Sequence, residues 1–377
     1  MLFFAMEKNI YNFTLDDLSN ELADVIDYKY RSLQIFSGLH KLLIDNFDNL
    51  QGIPKIIKER LKDKYFIPSL RLITVSKSID NTQKFLFEIP DYDNIGDNHK
   101  IETVLISEDN RNTICVSTQV GCNVGCEFCA TGKMGFLKNL DLSQIILQVY
   151  LVKKITKLQP TNIVFMGMGE PFLNFENLIK ALKVLTEKDG FGLSSKKITV
   201  STVGFKTKIK KFADILAKDE NRKIKNTKIA LSLHTTDQGL REKIIPAAKI
   251  NKLSDIYQEL IYFYRKTKTK ITYEYIYFHN LNDGVNDINR LSKLSGMVPC
   301  NFNLIPFHPI HSILKPPLDI YQKEEFYENG KYNSLLINSL NSFIIKLKNK
   351  KVVVNLRSSS GVDINAACGQ LATLYQK

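Results

Sequence analysis

Three cysteines stand at a spacing that suits a metal centre. Gly121-Cys122-Asn123-Val124-Gly125-Cys126-Glu127-Phe128-Cys129 is a C-x3-C-x2-C run. Three thiolates on one tight loop can each bind one iron of a [4Fe–4S] cube. The fourth iron then lacks a protein ligand, and a substrate can coordinate there. S-adenosylmethionine (SAM) can do so through its amino and carboxylate groups, which sets its sulfonium beside the cluster. A low-potential electron then cleaves a carbon–sulfur bond and yields a 5′-deoxyadenosyl radical. The competing reading is structural zinc with a fourth ligand from elsewhere. Zinc ribbons usually pair two C-x2-C units, and the sequence has no second one.

Three more cysteines lie outside the run: Cys115, Cys300 and Cys368. Clustering of this kind in a chain of 377 residues reads as metal or redox chemistry rather than a disulfide frame. Met166-Gly167-Met168-Gly169-Glu170-Pro171 forms a second candidate loop. Glycines there let backbone groups approach a ligand closely. A carbonyl-lined loop can hold the SAM ammonium. Alone such a loop is a weak signal; one strand after the cysteine run it is a strong one.

These loops need a scaffold that brings them to one place. Residues 1–68 read as polar and helical, with apolar stripes at Leu18, Leu22, Val25 and Ile26 and from Ile53 to Leu61. Leu70–Val75, Lys84–Ile89, Ile101–Ile106 and Thr113–Ser117 read as short strands, so 69–112 forms a β-rich connector. From 113 to 377 strands and helices alternate. Strands are expected at Thr161–Phe165, Lys197–Ser201, Lys228–Leu233, Lys270–Tyr277, Cys300–Ile305 and Val352–Leu356. Helices are expected at Ser143–Leu158, Phe175–Glu187, Thr207–Ala217, Leu253–Lys266, Val285–Leu294 and Tyr332–Leu347, with Ser143 as an N-cap. Such alternation predicts an α/β fold with parallel βαβ units, a partial β/α (TIM-like) barrel whose chemistry sits at the C-terminal strand ends. Those ends read Gly167–Pro171, Ser201-Thr202-Val203-Gly204, Ser232-Leu233-His234 and Asn303-Leu304-Ile305-Pro306. They look like one rim.

Bulk properties fit a large core: 44% of residues are hydrophobic. The net charge of +13 favours a polyanionic partner. No apolar run is long enough to span a membrane. The start, Met1 to Met6, does not read as a signal peptide, and Met6 is a candidate initiator. A reducing cytoplasm is the default location.

The motifs together resemble the RlmN/Cfr family of radical SAM RNA adenine methylases. The resemblance runs from about Glu102 to Leu371. It is carried by Cys115-Val116-Ser117-Thr118-Gln119-Val120-Gly121-Cys122, Gly167–Pro171, Ser232-Leu233-His234, Asn303–Pro306 and Asp363-Ile364-Asn365-Ala366-Ala367-Cys368-Gly369-Gln370-Leu371. It implies a [4Fe–4S] cluster on Cys122, Cys126 and Cys129, and two SAM molecules per turnover. One SAM would methylate Cys368. The other would yield the radical that abstracts hydrogen from this methyl, and the resulting methylene radical would add to an adenine carbon. Cys115 would then attack the Cys368 sulfur and release the methylated base through a transient disulfide. Glu102 matches the family's proposed proton acceptor. Gly169, Glu170, Ser201, Ser232, Leu233, His234 and Asn303 match cofactor-contact positions. Adenine C2 and C8 are poor nucleophiles, so simple displacement on SAM cannot methylate them, and a covalent cysteine intermediate divides the task.

The bland alternatives are a buried apolar role for Cys368 and Cys115, a satisfied core His234 and an exposed strand carboxylate for Glu102. Cys300 matches no motif and reads as structural. By resemblance the substrates are adenosine 2503 of 23S rRNA and adenosine 37 of some tRNAs, with flavodoxin or ferredoxin as electron donor and a monomeric enzyme. Lysines at 206, 208, 210 and 211, at 223, 225 and 228, and at 266, 268 and 270 are candidate phosphate contacts. Pro171 fits the C2-methylating branch, whereas the C8 branch carries alanine there. Arg357-Ser358-Ser359-Ser360-Gly361-Val362-Asp363 leans towards the C8 branch. A zinc-stabilised non-catalytic RNA-binding protein and a radical SAM enzyme for a small molecule are the competing classes.

Overall fold

A computed structural model describes residues 7–90, 99–328 and 331–373. The Met1 to Met6 start lies outside the described residues. Helices α1 (Leu15–Glu21), α2 (Tyr30–His40) and α3 (Lys55–Lys64) open the chain. The apolar stripe from Leu18 to Ile26 does not form one helix. α1 ends at Glu21, and Leu22 and Val25 are buried from the turns that follow.

The remaining chain builds one ten-stranded sheet. Its strands are β1 (Arg71–Lys77), β2 (Gln83–Ile89), β3 (His99–Glu108), β4 (Arg111–Cys115), β5 (Asn162–Phe165), β6 (Ile198–Thr202), β7 (Lys228–Ser232), β8 (Ile271–Tyr277), β9 (Cys300–Pro306) and β10 (Val354–Leu356). Their order in space equals their order in the chain. From β4 to β10 every pairing is parallel, while β1 to β3 add antiparallel strands beyond β4. The result is a partial β/α barrel. The β-rich segment before it is hydrogen-bonded into the same sheet.

Apolar and β-branched residues such as Ile163, Phe165, Ile198, Val200, Ile229 and Leu231 are buried, as parallel strands covered by helices require. The covering helices are α4 (Leu142–Thr156), α5 (Phe175–Thr186), α6 (Lys208–Ala217), α7 (Gln238–Ile244), α8 (Leu253–Thr267), α9 (Val285–Ser295) and α10 (Ser334–Asn349). α7 was not foreseen. It is seven residues long, too short to show a helical period.

Asp141, not Ser143, caps α4. Its carboxylate accepts from Gln144 N–H at 2.8 Å, and Gln144 returns the bond in a capping box. Ser143 instead ties the N-terminal segment to α4: its hydroxyl accepts from Asn9 at 2.9 Å, and its N–H donates to Asn12 at 3.0 Å. Tyr11, His40 and Tyr150 pack together at this junction, with His40 Nδ1 2.9 Å from the Tyr150 hydroxyl.

His40 is fully enclosed, and burial depresses its pKa to about 3. A folded-state pKa below the unfolded value gives stability that is complete above about pH 6.5 and is lost as pH falls towards 3. His40→Gln should therefore flatten the fall in thermal midpoint below pH 6.5. Each pH unit in that window costs the wild type up to about 1.4 kcal/mol through this group. An unchanged pH dependence in the variant would remove His40 from the acid response.

Candidate active site

The cysteine loop leaves the end of β4 and is clamped at its base. Gln119–Gly121 pairs with Phe136–Asn139 as a small hairpin. Gly121 adopts φ +70°, and a Cβ there would sit 1.8 Å from the Gly135 carbonyl oxygen, so only glycine closes the turn. Gly167 and Gly169 serve a similar purpose. A Cβ on Gly167 would meet Ser117 at 2.7 Å, and one on Gly169 would meet Gln119 at 2.6 Å. The glycine loop thus lies directly on the strand that leads into the cysteines.

Cys126 is buried; Cys122 and Cys129 are partly exposed. Burial pushes the Cys122 thiol up to about 12, and Cys129 adds to the rise. Cys126 and Cys129 are raised by the same desolvation. Against this, the N–H groups of Val124 and Gly125 donate to the Cys122 sulfur, and those of Gly132 and Thr131 donate to Cys129. Such donors favour thiolates. Three mutually coupled thiols that need a cation to ionise form a donor set suited to a cluster. Among the described residues, no three His, Cys, Asp or Glu side chains converge on a point as ligands of a single ion would.

The rim residues brace this loop. Glu170 is buried, and burial lifts its pKa to about 7 although its carboxylate accepts from Phe172 N–H at 3.0 Å and Val203 N–H at 2.9 Å. It joins the loops after β5 and β6. Ser201 and Ser232 hydroxyls lie 3.3 Å apart. Leu233 is fully buried. His234 takes φ +57°, accepts from Ile276 N–H through Nδ1 at 3.2 Å and packs edge-on against Phe128 of the cysteine loop. Burial drops its pKa to about 3, so the ring is neutral. Asn303 donates to Glu274 at 3.0 Å. Arg241, which no motif flagged, is fully buried and donates to the carbonyls of Val203, Ser232 and Leu233. Its charge favours ionisation of Cys126.

A cavity of about 790 Å³ runs along the barrel interior. Cys115, Cys129 and Cys368 all line it, with Asn303, His308 and Arg357. Cys115 is buried, whereas Cys368 is exposed on the C-terminal segment. Cys300 lies away from this cavity's lining. The Cys368 segment is held at three points. Gly369 and Leu371 carbonyls accept from Ala130 N–H at 2.7 Å and Thr131 Oγ1 at 2.6 Å, at the start of the helical turn after Cys129. Asp363 accepts from Ser78 and Ile79, and Gly361 N–H donates to Asp80, so the β1–β2 turn is a second anchor. Glu102 is the third. It is wholly buried, lies 3.0 Å from the Lys84 ammonium and accepts from Ala372 N–H at 2.8 Å. The carboxylate is therefore not on an exposed strand face. Lys84 also reaches the Asn365 carbonyl at 3.2 Å.

The lysine groups do not form one face. Lys206, Lys208, Lys210 and Lys211 lie after β6, at the C-terminal strand ends. Lys228 begins β7, and Lys266 to Lys270 precede β8, at the opposite ends. Lys206 and Lys211 pair with Asp255 and Glu176, and Lys210 and Lys266 flank the Tyr262 ring.

The radical SAM superfamily model matches residues 116–291. A dual-specificity RNA methyltransferase RlmN from Nautilia profundicola is 35% identical, with 97% of this chain and 98% of the relative aligned. A probable RlmN from Dictyoglomus turgidum is also 35% identical, over 98% of each chain. The chain belongs to the RlmN family. It is a radical SAM RNA methyltransferase. The crystal structure of a radical SAM methyltransferase from Sphaerobacter thermophilus matches with a TM-score of 0.81 and 31% identity, covering 96% of this chain and 98% of that one. Membership in the RlmN family implies a [4Fe–4S] cluster and SAM. Among the described residues, no helix is long and apolar enough to cross a membrane. All six cysteines are free thiols, so the transient disulfide is not a standing bond of this structure.

Lys84→Met would strand the Glu102 carboxylate in the interior. Breaking one half of a buried pair costs about 3–5 kcal/mol. The expected result is a large drop in thermal midpoint together with faster proteolysis of the 361–373 segment. Lys84→Met with Glu102→Leu should recover most of the loss. If the double variant is no more stable than the single one, the ion pair is not what holds the segment.

Proposed function

We propose that this RNA methyltransferase methylates C2 of adenine in 23S rRNA at adenosine 2503, and in tRNAs at adenosine 37, through a methyl group carried on Cys368. The observation that carries the reading is the arrangement of thiols: Cys368, exposed on an anchored segment, and Cys115 in the wall of the same cavity, which Cys129 also lines. Two roles are needed, a carrier that reaches the base and a second sulfur that frees the carrier. An exposed and a buried cysteine sharing one cavity suit them. The dual specificity for which these relatives are named supports two RNA classes.

Cys122, Cys126 and Cys129 would hold one cluster per chain. When bound, the cluster supplies the electron that splits SAM. The chain's own residues do the rest. The Gly167–Pro171 loop, Ser201, Ser232 and Asn303 would contact SAM; of these, Gly167 and Asn303 line the cavity. Leu233 and His234 keep the cysteine loop packed. The mobile reactant is the Cys368 methyl group, which must meet both the radical and the adenine. A target adenine must leave its stack to enter the cavity, which favours unpaired or flippable sites. An electron carrier such as flavodoxin or ferredoxin, and a monomeric cytoplasmic enzyme, complete the reading.

C8 methylation is the second reading. Ser358, Ser359 and Ser360, the stretch that departs from the C2 pattern, line the cavity. Mass spectrometry of adenosine from unmodified 23S rRNA after reaction decides between the carbons. 2-Methyladenosine is expected; 8-methyladenosine would overturn the C2 assignment. Cys126→Ala should lose iron and activity. Cys368→Ala should keep its iron and make no methylated product. Cys115→Ala should accumulate RNA bound covalently to Cys368. Normal yields of free product from Cys115→Ala would remove it from the reaction.

A further inference from the structure

Arg357 stands at the end of β10, where no motif assigned it a role. Its backbone N–H donates to the Leu304 carbonyl at 2.9 Å, which fixes it to the neighbouring strand β9. Its side chain is drawn inward. Nη1 lies 3.4 Å from the Glu274 carboxylate and 3.7 Å from the Met166 sulfur. Glu274 is buried and also receives the Asn303 amide. On the other side, the Met166 backbone amide donates to the Cys115 sulfur. Arg357, Met166, Cys115 and Cys368 all line the one cavity.

The electrostatic problem at this place is severe. Burial pushes the Cys115 thiol up to about 12, and Cys368 raises it further. A neutral thiol does not attack a sulfur; the thiolate does. Arg357 opposes the rise at Cys115, and Cys368 is the leading influence on Arg357 in return. The charged and titratable neighbours along this cavity are Cys129 of the cysteine loop, Cys368 on the C-terminal segment, Arg357 after β10, Glu274 on β8, His308 after β9, Lys228 at the start of β7, Lys270 just before β8, and the Glu108–Arg111 pair of β3 and β4. Glu274 is already bound to Arg357, and burial holds His308 neutral by lowering its pKa to about 4.

We infer that Arg357 is the positioning residue that arms Cys115: held between Glu274 and Met166, its guanidinium supplies the positive charge beside which Cys115 attacks the Cys368 sulfur. The inference rests on the proposed pairing of these two cysteines. In the step concerned, the Cys115 thiolate electron pair forms the sulfur–sulfur bond. The bond from Cys368 sulfur to the methylene carbon breaks, and its electron pair goes to that carbon. The carbon takes one proton from solvent and leaves as the methyl group of the base. An external thiol reductant later reduces the disulfide.

The test avoids radical chemistry. In the holoenzyme, with the cluster thiolates occupied, exposed Cys368 is capped as a mixed disulfide with an aromatic thiol reagent. Attack by Cys115 on the Cys368 sulfur then expels the coloured aromatic thiolate, and its release is followed against pH. Cys115→Ala should abolish this release; if it does not, the pairing itself fails. Given that control, Arg357→Gln should slow release at least tenfold near pH 8 and move the profile to higher pH, with rate rising about tenfold per pH unit as thiolate is regained. Arg357→Lys should restore part of the rate. Glu274→Gln keeps an acceptor oxygen for the guanidinium but removes its competing anion, so its profile should shift to lower pH. A merely structural salt bridge predicts the same loss for Arg357→Gln and Glu274→Gln, with no change in profile. That result, or wild-type release from Arg357→Gln, would overturn the inference while leaving the cysteine pairing intact.

Discussion

The site depends on a buried carboxylate. Glu102 has no access to solvent, and Lys84 and the Ala372 amide meet its charge. Those partners come from adjacent strands of the antiparallel extension and from the far end of the chain. The pair of β2 and β3 thus also receives the C-terminal segment, through the Ala372 amide and the Asn365 carbonyl. An ionised group is a demanding anchor, because a misplaced segment leaves it uncompensated. Apolar packing alone would accept many placements of an Ala-Ala-Cys-Gly run.

This constraint explains why the sheet extends beyond the parallel strands. β1 to β3 add nothing to the rim of loops after β4 to β9. They provide Ser78, Asp80, Lys84 and Glu102, all of which hold residues between 361 and 372. The third hold, at Ala130 and Thr131, joins the same segment to the helical turn after Cys129. Cys368 is thus fixed relative to both the sheet and the cysteine loop. Its own side chain remains exposed.

Much of this was legible in the sequence, for identifiable reasons. Parallel strands buried on both faces must be apolar runs, so β5 to β9 stood out within one or two residues of their true limits. The cysteine spacing is local and declares itself. What was not legible depends on long-range pairing. Ser143 resembled a cap because capping residue types are common at helix starts, but Asp141 two positions earlier had the better carboxylate geometry. Leu18 to Ile26 kept a helical period across a chain reversal because both halves face one core. Lys84 and Arg241 are single charged residues in ordinary strand and helix contexts. Their partners lie on other elements or loops, from eight residues away to the far end of the chain, and no spacing rule points to them. Glu102 showed only as a family match; its enclosure is a property of the fold.

The motif residues also divide by task in a way spacing does not reveal. Glu170, Leu233, His234 and Arg241 point their polar groups at backbone, or carry none, and fix the loops around the cysteine run. Cys115, Cys368, Asn303 and Arg357 line open space. The first set keeps the rim rigid, so that donors aimed at sulfur stay aimed. The second set faces whatever enters. A buried cysteine in that wall would be inert by itself, since desolvation disfavours its thiolate. Its use as a nucleophile requires a cation that the apolar surroundings cannot supply, and the wall contains one in Arg357. Glu274 is that cation's counter-ion, 3.4 Å from Nη1. The carboxylate costs some of the stabilisation at sulfur but fixes the guanidinium where both thiols feel it.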